Sequence, residues 1–117
     1  MKKILIIDDE PSLLKILGKF LEKLNYESIT AENGDKGLEK FSETPQEFFA
    51  VIIDYNLPGS SSKDILAQIK QTNPSIKTVL STGFSVNEIS KEFNVKIDAT
   101  LQKPFTFADF KQTIEQL

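Results

Sequence analysis

The sequence contains no cysteine and no histidine among its 117 residues. The absence of cysteine excludes a disulfide framework and a thiolate metal site. The absence of histidine excludes zinc sites of the Cys/His kind, hydrolases that use a Ser–His–Asp or Cys–His pair, and a role as a phospho-histidine donor. Any metal bound by this chain must therefore be a hard cation held by oxygen atoms.

Long hydrophobic runs and a strong positive charge are also missing. No apolar run approaches the roughly 20 residues that span a bilayer, and the short run after Met1–Lys3 ends at Asp8, which is not a signal-peptide pattern. We therefore expect a cytoplasmic protein with no membrane contact. The net charge of 14 − 17 = −3 argues against direct nucleic-acid binding. The length and the ordinary globular composition predict a single domain over residues 1–117.

Short apolar runs alternate with amphipathic segments along the chain. Strands are predicted at 4–7, 28–31, 50–53, 78–80 and 99–101. Helices are predicted over Leu13–Leu24, after Asn33–Gly34, between Ser60–Ser62 and Asn73–Pro74, after a capping box at Ser85–Glu88, and after a second capping box at Thr106–Asp109.

The predicted strands are apolar on both faces, which indicates a sheet buried between two helical layers and therefore a parallel sheet. Right-handed crossovers then give a three-layer, doubly wound α/β sandwich of the (βα)5 type. Among the common strand orders, the flavodoxin-like order 2-1-3-4-5 fits five strands, and the weak second strand is expected at an edge.

Polar residues follow the predicted strands, at the edge where open α/β sheets bind ligands. In chain order they are Asp8 and Asp9, Asp54, Thr82, and Lys103. Because the first and third strands are neighbours, the three carboxylates should converge, and two of them about 5 Å apart repel by roughly 3 kcal/mol at an effective dielectric near 20. A cation would relieve this repulsion, and Mg²⁺ takes carboxylates, waters and a phosphate oxygen. Thr82 and Lys103 would contact the far side of that phosphate.

A carboxylate is ionised at neutral pH and can itself be the nucleophile, so Asp54 would need no histidine base. Each residue also has an ordinary structural explanation. Asp8 and Asp9 would favour the dipole of the next helix, Asp54 would be a solvated loop residue, Thr82 part of a turn, and Lys103 a surface lysine at the start of a helix. All of these explanations would have to coincide at four strand ends, so the phosphate-site interpretation is preferred.

Four stretches resemble the response-regulator receiver domains of two-component signalling, the family that includes the chemotaxis regulators. They are Ile6–Pro11, Asp54–Gly59, Ser81–Phe84 and Lys103–Phe105. The resemblance covers essentially the whole chain. It implies that Asp54 is the phosphoacceptor, and that Asp8, Asp9 and Asp54 hold Mg²⁺ together with the backbone carbonyl of Asn56. It also implies that Thr82 senses the phosphoryl group, that Lys103 pairs with it, and that the bond before Pro104 is cis.

The same resemblance implies partners and a division of labour. A sensor histidine kinase or a histidine phosphotransfer protein would donate the phosphoryl group, and a downstream protein or a fused effector would receive the signal. The chain would catalyse only its own phosphorylation and dephosphorylation and would not otherwise be an enzyme. Because the sequence ends at its last predicted helix, we expect no output domain within it. Whether it stands alone or belongs to a longer protein is left open.

Three positions depart from the family pattern. Thr100 stands where the family usually has an aromatic rotamer switch, and Ser62 stands where it usually has a glycine. Phe84 occupies the position that tunes the lifetime of the phosphoryl bond, and we expect its bulk to shield that bond from water. The first two departures favour an alternative, a phosphorylation-independent pseudo-receiver that acts as an interaction module. A phosphatase of the haloacid-dehalogenase type is disfavoured, because Asn56 stands where that type has its second acid.

Overall fold

The computed structural model describes residues 1–83 and 90–117. Within these ranges, five strands alternate with four α-helices. The strands are β1 Lys3–Ile7, β2 Glu27–Ala31, β3 Phe48–Asp54, β4 Lys77–Thr82 and β5 Ala99–Gln102. The helices are α1 Pro11–Lys23, α2 Gly34–Glu43, α3 Ser62–Thr72 and α4 Phe107–Glu115, with short 3₁₀ turns at Pro45–Glu47 and Ser90–Glu92.

The five strands form one parallel sheet in the order β2-β1-β3-β4-β5. This confirms the predicted strand order and the edge position of the second strand. The register pairs Ile7 of β1 with Ile53 of β3, and Asp54 of β3 with Ser81 of β4. The carboxyl ends of the three central strands therefore lie close together at one edge of the sheet.

A hydrophobic cluster covers each face of the sheet. One cluster joins Leu5 and Ile53 to Leu66 of α3, and the other joins Ile6 to Phe110 of α4. All of these side chains are almost fully buried. Because helices pack on both faces, the central strands are apolar at successive positions rather than at alternate ones.

The helix ends agree with the sequence signals. Asn33 caps α2 and Ser61 caps α3, each accepting a hydrogen bond from a backbone N–H three residues further on. Thr106 and Asp109 form the predicted capping box of α4. These contacts satisfy N–H groups that no carbonyl within the helix can reach.

Two predictions concern residues outside the described ranges: the helix that would begin at the capping box Ser85–Glu88, and the shield formed by Phe84. All five predicted strands and the other four predicted helices are present. In residues 1–83 and 90–117, no helix is both long and apolar enough to cross a bilayer.

Gly37 of α2 lies directly against β1, and this contact gives the first prediction. A methyl group at Gly37 would lie 2.5 Å from Cδ1 and 2.8 Å from Cγ1 of the buried Ile7. We expect Gly37→Ala to lower the free energy of unfolding by about 1–2 kcal/mol, because a packed core side chain must shift. Urea unfolding measures the change.

Gly18→Ala in α1 is the matched control. The nearest atom to its added methyl group would be the Ser28 hydroxyl oxygen, at 3.4 Å, and alanine is the better helix former by up to about 1 kcal/mol. Gly18→Ala should therefore be neutral or stabilising. Equal stability of the two variants would contradict the close packing of α2 on β1.

Candidate functional site

Three aspartates meet at the carboxyl edge of the sheet. Asp8 and Asp9 directly follow β1, and Asp54 is the last residue of β3. Each offers one carboxylate oxygen, and these oxygens all lie within 4.8 Å of one another. Asp8 and Asp54 are buried, whereas Asp9 is exposed. The structure thus brings together the three acids that the sequence predicted would converge.

Asp8 and Asp54 are held in the same way. Oδ1 of Asp8 accepts the N–H of Glu10 at 3.0 Å, and Oδ1 of Asp54 accepts the N–H of Asn56 at 3.2 Å. In both cases a side chain bonds to the backbone two residues further on, as aspartate commonly does where a turn begins. Both bonds use Oδ1, so the second carboxylate oxygen of each aspartate, Oδ2, can interact with a cation that lies between the two side chains.

That cation is Lys103, which directly follows β5. Its Nζ lies 3.2 Å from Oδ2 of Asp8 and 3.3 Å from Oδ2 of Asp54. Burial alone would disfavour the charged ammonium, but the two carboxylates outweigh it and raise the pKa of Lys103. The Lys103–Pro104 bond is cis, as predicted.

The acceptor candidate Asp54 lies in an environment that disfavours its charge. Burial, together with the smaller effect of the Asp8 charge, raises the pKa of Asp54 above its ordinary value of 3.8. The Lys103 ammonium and the Asn56 N–H act in the opposite direction. Additional positive charge at this edge would therefore stabilise the ionised carboxylate.

Thr82 and Asn56, the remaining predicted site residues, flank this centre. Thr82 ends β4 and is fully buried, and its carbonyl accepts the backbone N–H of Lys103 at 2.7 Å. Asn56 is exposed, and its N–H donates to the Asp54 carboxylate. The roles of the Thr82 hydroxyl and the Asn56 carbonyl stay predictions.

Ser62 is a feature of the site that the sequence interpretation missed. The sequence predicts that a helix begins at Ser60–Ser62, and in the structure Ser61 caps this helix, α3. Ser62 is buried, and its hydroxyl oxygen lies 2.6 Å from the carbonyl oxygen of Asp54 and 2.9 Å from that of Tyr55. The sequence shows that a serine stands at position 62, where the family usually has a glycine. It does not show the contacts of the Ser62 hydroxyl with the two carbonyls, because these contacts depend on the path of the loop.

Tyr55 makes a second contact that the sequence did not reveal. Its hydroxyl donates to Oε2 of Glu92 at 2.8 Å, and its ring packs against Phe93 with centroids 6.3 Å apart. The hydrogen bond to the Glu92 carboxylate, together with a smaller effect of burial, raises the pKa of Tyr55. The residue next to Asp54 is thus linked to the segment that precedes β5.

Comparison with known proteins decides the family of this chain. A family model described as the response regulator receiver domain matches residues 4–115. The chain belongs to the response regulator receiver domain family. It is therefore a receiver domain of the kind found in two-component response regulators.

Two relatives differ in how much of their own length matches this chain. The response regulator receiver protein CpdR of Brucella abortus is 28% identical over an alignment of 118 positions, which covers 100% of this chain and 97% of CpdR. The transcriptional regulatory protein ResD of Bacillus subtilis is 30% identical over 105 residues, which cover 89% of this chain and 42% of ResD. The chain thus spans nearly all of one relative and less than half of the other.

Solved structures match the fold closely. A receiver domain protein from Clostridium thermocellum is 32% identical with a TM-score of 0.86, covering 98% of this chain and 92% of that one. The response regulator TrrA of Thermotoga maritima, in complex with Mg²⁺–BeF, is 32% identical with a TM-score of 0.84 and full coverage of both chains. The predicted flavodoxin-like fold is confirmed.

The environment of Asp54 gives a prediction about stability. In the absence of Mg²⁺, we expect Asp54→Asn to be more stable than the wild type at neutral pH. Folding raises the pKa of Asp54, so the folded state favours the protonated carboxyl. As the pH rises from the ordinary pKa of 3.8 through the raised pKa of the folded state, the wild type should lose stability relative to the variant. Above the raised pKa, the difference in free energy of unfolding between the two proteins should stay constant.

Urea unfolding in EDTA between roughly pH 3 and 7 measures this difference. Glu39→Gln, which changes an exposed acid in the middle of α2, is the control and should produce no such pH-dependent gain. An Asp54→Asn variant less stable than the wild type at neutral pH would contradict the electrostatics described for the site.

Proposed function

We propose that this receiver domain accepts a phosphoryl group from phospho-histidine onto Asp54, with Mg²⁺ bound. The observation that carries the proposal is the setting of the buried Asp54 carboxylate, which adjoins two further aspartates and one lysine. A carboxylate nucleophile needs charge neutralisation and positioning more than it needs an acid–base partner. This edge of the sheet supplies both.

The donor set fits Mg²⁺. Three carboxylate oxygens within 4.8 Å of one another are hard ligands of the kind that this ion takes. Asp8, Asp9 and Asp54 would hold the ion together with the carbonyl of Asn56. When bound, Mg²⁺ supplies charge stabilisation for the carboxylates and for the phosphoryl oxygens. TrrA, whose structure contains Mg²⁺–BeF, supports this assignment for the family.

Asp54 would be the nucleophile. One of its carboxylate oxygens forms a bond to phosphorus while the bond between phosphorus and the imidazole nitrogen of the donor breaks. The departing nitrogen takes a proton from water, and an aspartyl phosphate remains. The ammonium of Lys103, 3.3 Å from Asp54, favours the ionised carboxylate that this attack requires.

Lys103 and Thr82 would respond to the new group. Formation of the acyl phosphate removes the carboxylate charge of Asp54, and the phosphoryl group adds a charge of roughly −1.5 to −2. The Lys103 ammonium would follow this charge, and the Thr82 hydroxyl would donate to a phosphoryl oxygen. Since the backbones of Lys103 and Thr82 are hydrogen-bonded to each other, their movements would shift β4 and β5 together between two populated states.

The proposed partners are those of the family. Receiver domains interact with histidine kinases and with effectors, and we propose the same here, in the cytoplasm. The relatives include the transcriptional regulator ResD and a cyclic di-GMP phosphodiesterase of Thermotoga maritima, of which the matched region covers 42% and 27%. We propose that this chain signals to a separate protein or a fused effector, and that it catalyses only its own phosphorylation and dephosphorylation.

Phosphorylation by a small donor tests the proposal. Incubation with acetyl phosphate and Mg²⁺ should add one phosphoryl group per chain, detected by intact-protein mass spectrometry. Asp54→Asn removes the nucleophile at almost constant size, so its uptake should fall to background. Asp64→Asn, which changes an exposed acid at the start of α3, should keep wild-type uptake.

Equal uptake by the wild type and Asp54→Asn would contradict the proposal, as would undiminished uptake in EDTA. If the wild type took up no phosphoryl group and calorimetry detected no Mg²⁺ binding, the interaction-module alternative would be favoured instead. Thr100 and Ser62, the two departures from the family pattern, are the observations on which that alternative rests.

A further inference from the structure

Ser62 holds two consecutive peptide units of the loop after Asp54. Its hydroxyl oxygen lies 2.6 Å from the carbonyl oxygen of Asp54 and 2.9 Å from that of Tyr55. A serine hydroxyl has a single proton to donate, so the two carbonyls share one donor. The residue is 4% exposed, so water has little access to compete for these bonds.

Each of the two peptide units is also held through its N–H. The carbonyl of Asp54 shares a unit with the N–H of Tyr55, which donates to the carbonyl of Ser81 in β4 at 2.8 Å. The carbonyl of Tyr55 shares a unit with the N–H of Asn56, which donates to Oδ1 of Asp54 at 3.2 Å. Because a peptide unit is planar and rigid, a bond that fixes its carbonyl also fixes the direction of its N–H.

We infer that Ser62 is a positioning residue for the Asp54 carboxylate. Through the Tyr55–Asn56 peptide unit, its hydroxyl keeps the Asn56 N–H directed at Oδ1 of Asp54, while Oδ2 lies 3.3 Å from Lys103. Without the hydroxyl, that peptide unit loses its buried donor and the carboxylate loses a fixed neighbour. The catalytic consequence rests on the proposed function of Asp54 as the phosphoryl acceptor.

Ser61 provides a control for a purely structural role of its neighbour. Ser62 is the first residue of α3, so its replacement also affects the start of that helix. Ser61 is adjacent and exposed, and its hydroxyl oxygen accepts a hydrogen bond from the N–H of Asp64 within α3. Ser61→Ala therefore weakens the helix cap and leaves the contacts to Asp54 and Tyr55 in place.

The first measurement needs neither a metal nor a phosphoryl donor. In Ser62→Ala, the Asn56 N–H should lose its hydrogen bond to the Asp54 carboxylate. In ¹H–¹⁵N spectra, this loss should move the Asn56 amide proton upfield. The same proton should keep its wild-type shift in Ser61→Ala. Ser62→Gly also lacks the hydroxyl and should reproduce the upfield shift, which separates the effect of the hydroxyl from that of the Cβ atom.

The second measurement is the rate of phosphorylation by acetyl phosphate at saturating Mg²⁺, at a temperature where every variant is folded. Ser62→Ala should react roughly tenfold more slowly than the wild type, because misplacement of a reacting group is costly even when it is small. Ser61→Ala should react within about twofold of the wild type.

The outcomes separate the inference from the proposed function. An unchanged Asn56 shift in Ser62→Ala would overturn the positioning contact, whatever the phosphorylation rates. A moved shift with a wild-type rate, or equal slowing in Ser61→Ala, would overturn the catalytic consequence. Failure of the wild type to be phosphorylated would contradict the proposed function, and the spectra would still decide whether Ser62 directs the Asn56 N–H.

Discussion

Mutual repulsion of three carboxylates is the constraint on which the site depends. Fully ionised, Asp8, Asp9 and Asp54 together with Lys103 carry a formal charge of −3 + 1 = −2. Burial, and to a smaller extent the charge of Asp8, raises the pKa of Asp54. The charges of Asp8 and Asp54 raise the pKa of Lys103 in spite of its burial. One lysine offsets part of the repulsion, and a divalent cation would offset the rest.

The fold creates this concentration of charge and also restrains it. Strand order places β1 beside β3, so the acids that come after Ile7 and at the end of β3 must meet. Each buried aspartate is then fixed by a backbone N–H two residues further on, and both direct Oδ2 at Lys103. Ser62 in turn holds the peptide unit that supplies one of these N–H groups. The charged groups are thus positioned largely by backbone atoms, which the sheet and α3 keep in place.

Periodicity and chain order were sufficient to predict most of the fold and the core of the site. Apolar runs such as Ile4–Ile7 located the strands, and caps such as Asn33 and Thr106 located the helix starts. The meeting of Asp8 with Asp54 required only the strand order. Contacts that depend on a loop path were not predictable. Ser62 reaches back to Asp54 across 8 residues, and Tyr55 reaches Glu92 across 37, and neither spacing has a sequence signature.

Trapping of the phosphorylated residue tests the central claim, that the phosphoryl group is bound covalently to Asp54. Borohydride reduces an acyl phosphate to the primary alcohol, which converts a phosphorylated aspartate into homoserine. After phosphorylation of the wild type and borohydride treatment, peptide mass spectrometry should find homoserine at position 54. Homoserine at position 8 or 9, or a stable phosphate on a serine or threonine with position 54 unmodified, would contradict the account.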